Sequence, residues 1–219
     1  MIWDWSYAAE IMPELLWGVW ITLLVTAASA AISLFGGLLL AVFASVSGRA
    51  GQFAVRFLIE ALRGVPILVL LFFGFYALPQ IGLTLSSYTV GILVLGIVYA
   101  AYCSEVYRGA LLTIPSGLRD ACSALGLPKL VTWRDVLIPL AVSKSIPSLV
   151  NYVLLLYRQS ALLFAIGIPV LMGQAQTVGY ERFRYLEPYT LAGVLYLALN
   201  LPFVYVLYRY KAKHDEKHI

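Results

Sequence analysis

Few side chains in this sequence are placed to make or break a covalent bond. The two histidines, His214 and His218, have the i, i+4 spacing of a helical metal pair. Their run reads His-Asp-Glu-Lys-His, with Glu216 in the third position, which is the composition of a solvated charged tail. Cys103 and Cys122 make no disulfide framework and read as small apolar residues. No Gly-x-x-x-x-Gly-Lys-[Ser/Thr] run occurs, and no Gly-Lys dipeptide, so nothing here cradles a nucleotide phosphate. No catalytic or metal constellation is expected, and no cofactor in this chain. What remains is electrostatic. Arg56, Glu60 and Arg63 follow i, i+4, i+7 and share one helical face, and Glu105 and Arg108 follow i, i+3. Such groups either line a wet path or pair with each other and snorkel to an interface. Their position toward one membrane face favours the pairs.

The elements that carry these charges must be membrane helices. Of 219 residues, 62% are hydrophobic and 12% charged. A typical soluble domain has about 45–50% and about 25%. Mean hydropathy is +0.88. A soluble globule could not hide that apolar surface, and a disordered or nucleic-acid-binding chain needs far more charge. No basic leader precedes the first apolar run, so no cleavable signal peptide is expected. Trp3, Trp5, Tyr7, Trp17 and Trp20 read as an interfacial belt around the first span.

A spanning helix needs about 20 apolar residues. The charge-free runs place spans at about 15–45, at about 53–78 with Arg56, Glu60 and Arg63 in its first half, from about 88 past Arg108, at about 138–158, and at 188–208. Residues 159–180 are uncharged, but Gly167 and Pro169 interrupt them, and they read as a broken helix end, a short outer helix and a loop. The positive-inside rule then selects five spans over six. With five, Arg49, Arg56, Arg63, Arg108, Arg119, Lys129, Arg134, Lys144, Arg209, Lys211, Lys213 and Lys217 fall inside, which is 12 of 15 basic residues. The expected fold is an all-α integral membrane protein, N-terminus out and C-terminus in, one transmembrane domain over 1–219.

One polar excursion, about 109–135, is longer than the other loops and lies inside. Asp120-Ala-Cys-Ser-Ala-Leu-Gly126 is rich in small helix formers, with Ser116 upstream as an N-cap. Gly126-Leu127-Pro128 reads as a helix stop, and Thr132 as a second start. Two short exposed helices would make a docking surface; an ordinary amphipathic connector is the alternative.

Asp120-Ala121-Cys122-x-x-x-Gly126, followed by Val136-x-Ile138-Pro139, resembles the EAA-type loop of ABC importer permeases: Glu-Ala-Ala, three residues, Gly, nine residues, Ile-x-Leu-Pro. Glu60-Ala-Leu-Arg-Gly-Val-Pro66 and Ala101-Tyr-Cys-Ser-Glu-Val-Tyr-Arg-Gly-Ala110 are similar to elements of the polar amino-acid uptake branch. The resemblance covers roughly 15–205 and implies a type I importer permease fold in a bacterial inner membrane. It implies a second permease subunit, identical or paralogous, two ATP-binding subunits that carry ATP and Mg, and an extracytoplasmic solute-binding protein. Membrane lipid is the solvent and nucleic acid no partner. Asp120, Ala121, Cys122, Ser123, Ala124, Leu125 and Gly126, with Pro139, would form the coupling element.

Where the branch has Lys-Asp-Thr-Ser-Leu, this chain reads Arg158-Gln159-Ser160-Ala161-Leu162. The acidic residue has become Gln159, which points away from a cationic cargo and toward a polar amino acid or an amino-acid-like zwitterion of ectoine or opine type. Candidates for the solute path are Glu60, Tyr99, Tyr102, Asn151, Arg158, Gln159 and Ser160. Discontinuous helices are a means by which transporters build such sites. The other functional class is a stand-alone carrier or channel, which should show internal repeats or a full binding cage.

Overall fold

In the computed structural model the backbone is described over residues 3–215, and side chains over 3–202, 204 and 205. All regular structure among them is helical. The helices are α1 (Trp5–Val46), α2 (Arg49–Gly64), α3 (Ile67–Phe72), α4 (Ser87–Leu112), α5 (Ser116–Ala124), α6 (Lys129–Val131), α7 (Ile138–Gln159), α8 (Leu171–Arg182) and α9 (Leu186–Asp215).

α1 begins at Trp5 rather than near Leu15. Asp4 caps it, its carboxylate accepting from the Ser6 and Tyr7 N–H groups at 3.0 and 3.2 Å. The early turns bury Tyr7, Ile11 and Leu15 against Leu171, Ala175, Val178 and Ala192. Tyr7 therefore belongs to the core rather than to the expected belt, whereas Trp5, Trp17 and Trp20 are exposed. At 42 residues, α1 is about 63 Å long, well beyond a bilayer core of about 30 Å.

α1 and α4 cross closely through small residues. A Cβ on Gly37 would lie 2.6 Å from Cys103 Cβ, and one on Gly96 2.7 Å from Ile32 Cβ. Small residues at the crossing bring the backbones together and gain van der Waals contact, the main attraction between helices in lipid. The pairs Gly37–Cys103 and Ile32–Gly96 run in the same sense, so α1 and α4 are parallel. α7 returns beside α4, placing Leu149 with Cys103 and Tyr107.

Among the described residues, three helices are long and apolar enough to cross a membrane: Trp5–Val46, Ser87–Leu112 and Lys129–Ile166. The segment expected as one span at 53–78 is not one continuous helix. Arg49–Gly64 and Ile67–Ile81 are bent by 97° at Val65–Pro66. Pro66 has no N–H to continue the helix, and it drives Val65 into the extended region (φ −99°, ψ 132°). Arg56, Glu60 and Arg63 thus ride on a separate amphipathic helix, which buries Val55 and Ile59 and exposes Phe53 and Phe57.

The segment after α7 matches its reading. A 3₁₀ turn over Ser160–Ile166 ends at Gly167 (φ +78°), an extended link follows, and α8 is the short helix. The Leu171 N–H donates to Thr22 Oγ1 at 2.9 Å, and a Cβ on Gly18 would lie 2.8 Å from Leu171 Cα, so α8 is seated on α1.

Candidate functional site

The excursion after α4 folds into one helix, α5. Pro115 precedes it and Ser116 is its first helical residue, without a capping bond, so the expected Ser116 cap is corrected. Proline before the first turn leaves the start without a side-chain cap. The stop forms as the sequence suggested. Gly126 adopts φ +68°, its N–H donates to Ser123 O at 3.0 Å, and the Leu127 N–H donates to Cys122 O at 3.1 Å. These two bonds are the Schellman pair, and they require a residue comfortable in the left-handed region.

The second short helix is not separate. α6 starts at Lys129 and runs through a π turn (Thr132–Leu137) into α7. The π turn falls where Pro139 cannot donate to the preceding turn, and the Ile138 N–H bonds Trp133 O instead. Pro139 thus shapes the entry to α7.

α5 has two faces. Cys122 is buried, and Leu118 packs with Ala110, Leu111, Ile114, Leu137 and Ala141. The opposite face carries exposed Asp120, Ala121, Ser123, Ala124 and Leu125, followed by Gly126. Leu125 is 78% exposed and Leu130, beyond the turn, 75%. Leu125, at the end of α5, and Leu130, in α6 beyond the Schellman turn, put two large exposed apolar side chains beside the small ones of α5. Leu130 was not among the sequence candidates; its signal is an apolar residue two positions past the helix stop.

The path candidates fall into two groups. Arg63 pairs with Glu60 at 3.7 Å, and its guanidinium lies 4.8 Å from the centroid of the Tyr102 ring. Tyr102 contacts Tyr99 and stacks on Tyr152, with centroids 5.6 and 5.4 Å away. Tyr99 is buried, while Glu60 and Asn151 are exposed. The second group ends α7: Arg158 exposed, Gln159 half-buried and Ser160 buried, the last donating its hydroxyl to Tyr157 O at 2.6 Å. Arg158 lines a cavity of about 220 Å³ with Tyr157, Ala161, Tyr196 and Asn200. Asn200 was not anticipated; its Oδ1 is buried without a hydrogen-bond partner. Glu105 and Arg108 form the expected pair, bound through two guanidinium nitrogens at 2.6–3.1 Å. The His214 and His218 side chains lie outside the described residues.

At the opposite end of α1, Arg184 bridges Asp4, at 3.1 Å, and the buried Glu187, while Arg182 binds Glu10 at 2.7 Å. The Asp4 N–H adds a bond to Glu187 at 3.2 Å. Hydrogen bonds from Ser6 and the Tyr7 N–H, with the Arg184 guanidinium, hold the Asp4 carboxyl at about 2, below its usual value.

The family model for the binding-protein-dependent transport system inner membrane component matches residues 33–213. The chain belongs to that family. A probable amino-acid ABC transporter permease protein of Sinorhizobium fredii is 33% identical over 196 residues, covering 90% of this chain and 85% of that protein. The glutamine transport system permease protein of Escherichia coli K12 is 33% identical, covering 95% and 96%. A solved amino acid ABC transporter with histidines superposes with a TM-score of 0.87 at 28% identity, covering 97% of this chain and all of that one. As a member of this family the protein is a multi-pass permease subunit of an ABC importer, a class that works with an ATPase and a solute-binding protein. The stand-alone carrier reading falls with that membership.

Proposed function

We propose that this permease passes a polar amino acid, or an amino-acid-like zwitterion, from an extracytoplasmic binding protein to the cytoplasm across a bacterial inner membrane. It works by alternating access, with five spans, its N-terminus outside and its α5 end inside. Two ATPase subunits carry ATP and Mg, and a second permease, identical or paralogous, completes the path. α5 is the lever: closure of the ATPase pair moves it, and the bundle follows as a rigid body. The exposed Asp120–Gly126 face, locked by the Gly126 turn, carries this reading. Coupling is tested by Gly126→Pro, since proline cannot adopt φ +68°, and by Ala124→Trp, which places bulk on an exposed position. Both are expected to abolish ATPase binding and uptake; uptake at the parent rate in either would refute the lever.

The solute class rests on Gln159. A site without the carboxylate has no anion for a cationic side chain, and Arg158 beside it suits a carboxylate. Gln159→Asp is expected to shift selectivity toward arginine- or lysine-type solutes severalfold. An unchanged ratio in a coupled, folded variant would remove Gln159 from the path.

A further inference from the structure

A second cavity, of about 240 Å³, lies at the α5 end between α1, α2 and α4, with Arg119 of α5 at its edge. Arg56, Arg108 and Arg119 line it, with Glu105, Gln52 and Trp133. The Glu105 carboxylate is taken by Arg108, both of its oxygens bonded. Arg119 uses one guanidinium nitrogen on Leu111 O at 3.3 Å, and Arg56 is exposed. Three guanidinium groups against one carboxylate leave the cleft two charges positive. Ser104 and Gln52 supply neutral polar atoms, and Leu40, Val55 and Ile59 an apolar wall.

α2 indicates where an anion would come from. It is bent by 97° from the segment that follows it. It exposes Phe53 and Phe57, one turn apart, at 72% and 69%, and carries Arg49, Arg56 and Arg63 against Glu60 alone. Phe53 lies one turn from both Arg49 and Arg56, and Phe57 one turn from Glu60, so the exposed aromatic residues flank the charged row while Val55 and Ile59 face the bundle. A helix with its bulky aromatic and basic side chains on adjoining exposed faces lies in a headgroup plane. Its arginines then sit at phosphate depth, and basic pockets between membrane helices at such a surface suit anionic headgroups.

We infer that the cleft between α1, α2 and α4, closed at its edge by Arg119 of α5, binds the phosphate of an anionic phospholipid from the leaflet at the α5 end, held by Arg56 and Arg119 with Arg108 behind them. The aromatic face of α2 rests beside the acyl chains. Arg119 belongs to α5, so the bound headgroup ties the docking helix to the bilayer surface. Guanidinium groups favour phosphate because they donate two parallel hydrogen bonds.

The test is native mass spectrometry of the full-length chain in mild detergent, exposed to equal amounts of phosphatidylglycerol and phosphatidylcholine. The parent protein is expected to retain phosphatidylglycerol preferentially. The Arg56→Gln/Arg119→Gln variant is expected to lose that preference by on the order of tenfold. Arg49→Gln, which removes a charge of α2 outside the cleft, should leave it nearly intact. Equal retention by parent and double variant overturns the site, and so does an equal loss in Arg49→Gln, which would mark general surface attraction. Displacement of the lipid by excess inorganic phosphate would assign the cleft to a soluble anion and overturn the lipid as its source. Should the double variant fail to fold, the parent decides: no preference for phosphatidylglycerol over phosphatidylcholine overturns the inference.

Discussion

The two ends of the bundle hold their outermost elements in different ways. At the end that carries the start of α1, three ion pairs close within the chain: Arg184 with Asp4 and with Glu187, and Arg182 with Glu10. α8 is stitched to α1 through Thr22 and packs within backbone distance of Gly18. At the other end α5 stands on one buried face and leaves Leu125 and Leu130 bare. Each of the two helices stops with the same pair of bonds, but α5 uses Gly126 where α8 forces Phe183 to φ +50°. One end is closed on itself; the other is fixed in shape but left open. A rigid, unpaired helix is what a partner from another chain needs, whereas a self-satisfied end serves as the frame it pushes against.

Substitutions should separate the two ends. The largest effect belongs to the open end. Leu125→Glu is expected to weaken ATPase binding roughly thirtyfold or more, as loss of an interface anchor does. Because Leu125 is exposed, the melting of the isolated chain should stay within about 0.5 kcal/mol of the parent. Co-purification and thermal melts together check this. Next, Gly37→Ala in the frame should cost about 1–3 kcal/mol, because the new methyl falls 2.6 Å from Cys103 Cβ with no room to move. Its effect should appear in the melt and not in the affinity of properly folded protein for the ATPase.

Smaller still, Phe183→Gly should stabilise the chain by about 1 kcal/mol. It relieves a left-handed residue that is 81% exposed and so loses little packing. Smallest is the pH response. The Asp4 carboxyl sits at about 2 in the folded chain against an ordinary 3.8. A depressed value means stability that is full above about 3.8 and lost as pH falls through about 2. Acid melts of the parent should show that loss, and Asp4→Asn should flatten it while α5 substitutions leave it unchanged.

Much of the open end was legible in the sequence because its signals are local. Gly126-Leu-Pro marks a helix stop by backbone chemistry alone. The pairing of Glu105 with Arg108 follows from i, i+3 spacing on one helix. The closed end was less legible. Asp4 and Arg184 lie at opposite ends of the chain, and no period links them. The signal available was charge balance: Arg182 and Arg184 are basic residues on a face otherwise supplied with Asp4, Glu10 and Glu14. The α2 bend was only half legible: Pro66 marks a kink or break, but not its size. Counting charge-free residues measures length and not direction, and Pro66 turns the chain without interrupting its apolar run. Ser116 was misplaced by one step, because Pro115 already sets the helix start.

Hydrogen exchange measured on the full-length chain, alone and assembled with its ATPase subunits, tests the contrast most directly. Amides over 116–127 are expected to gain protection on assembly, while those at 4–8 and 179–187 keep the protection they have in the free chain. No change over 116–127 in an assembled, ATP-hydrolysing complex would contradict the assignment of α5 as the docked lever.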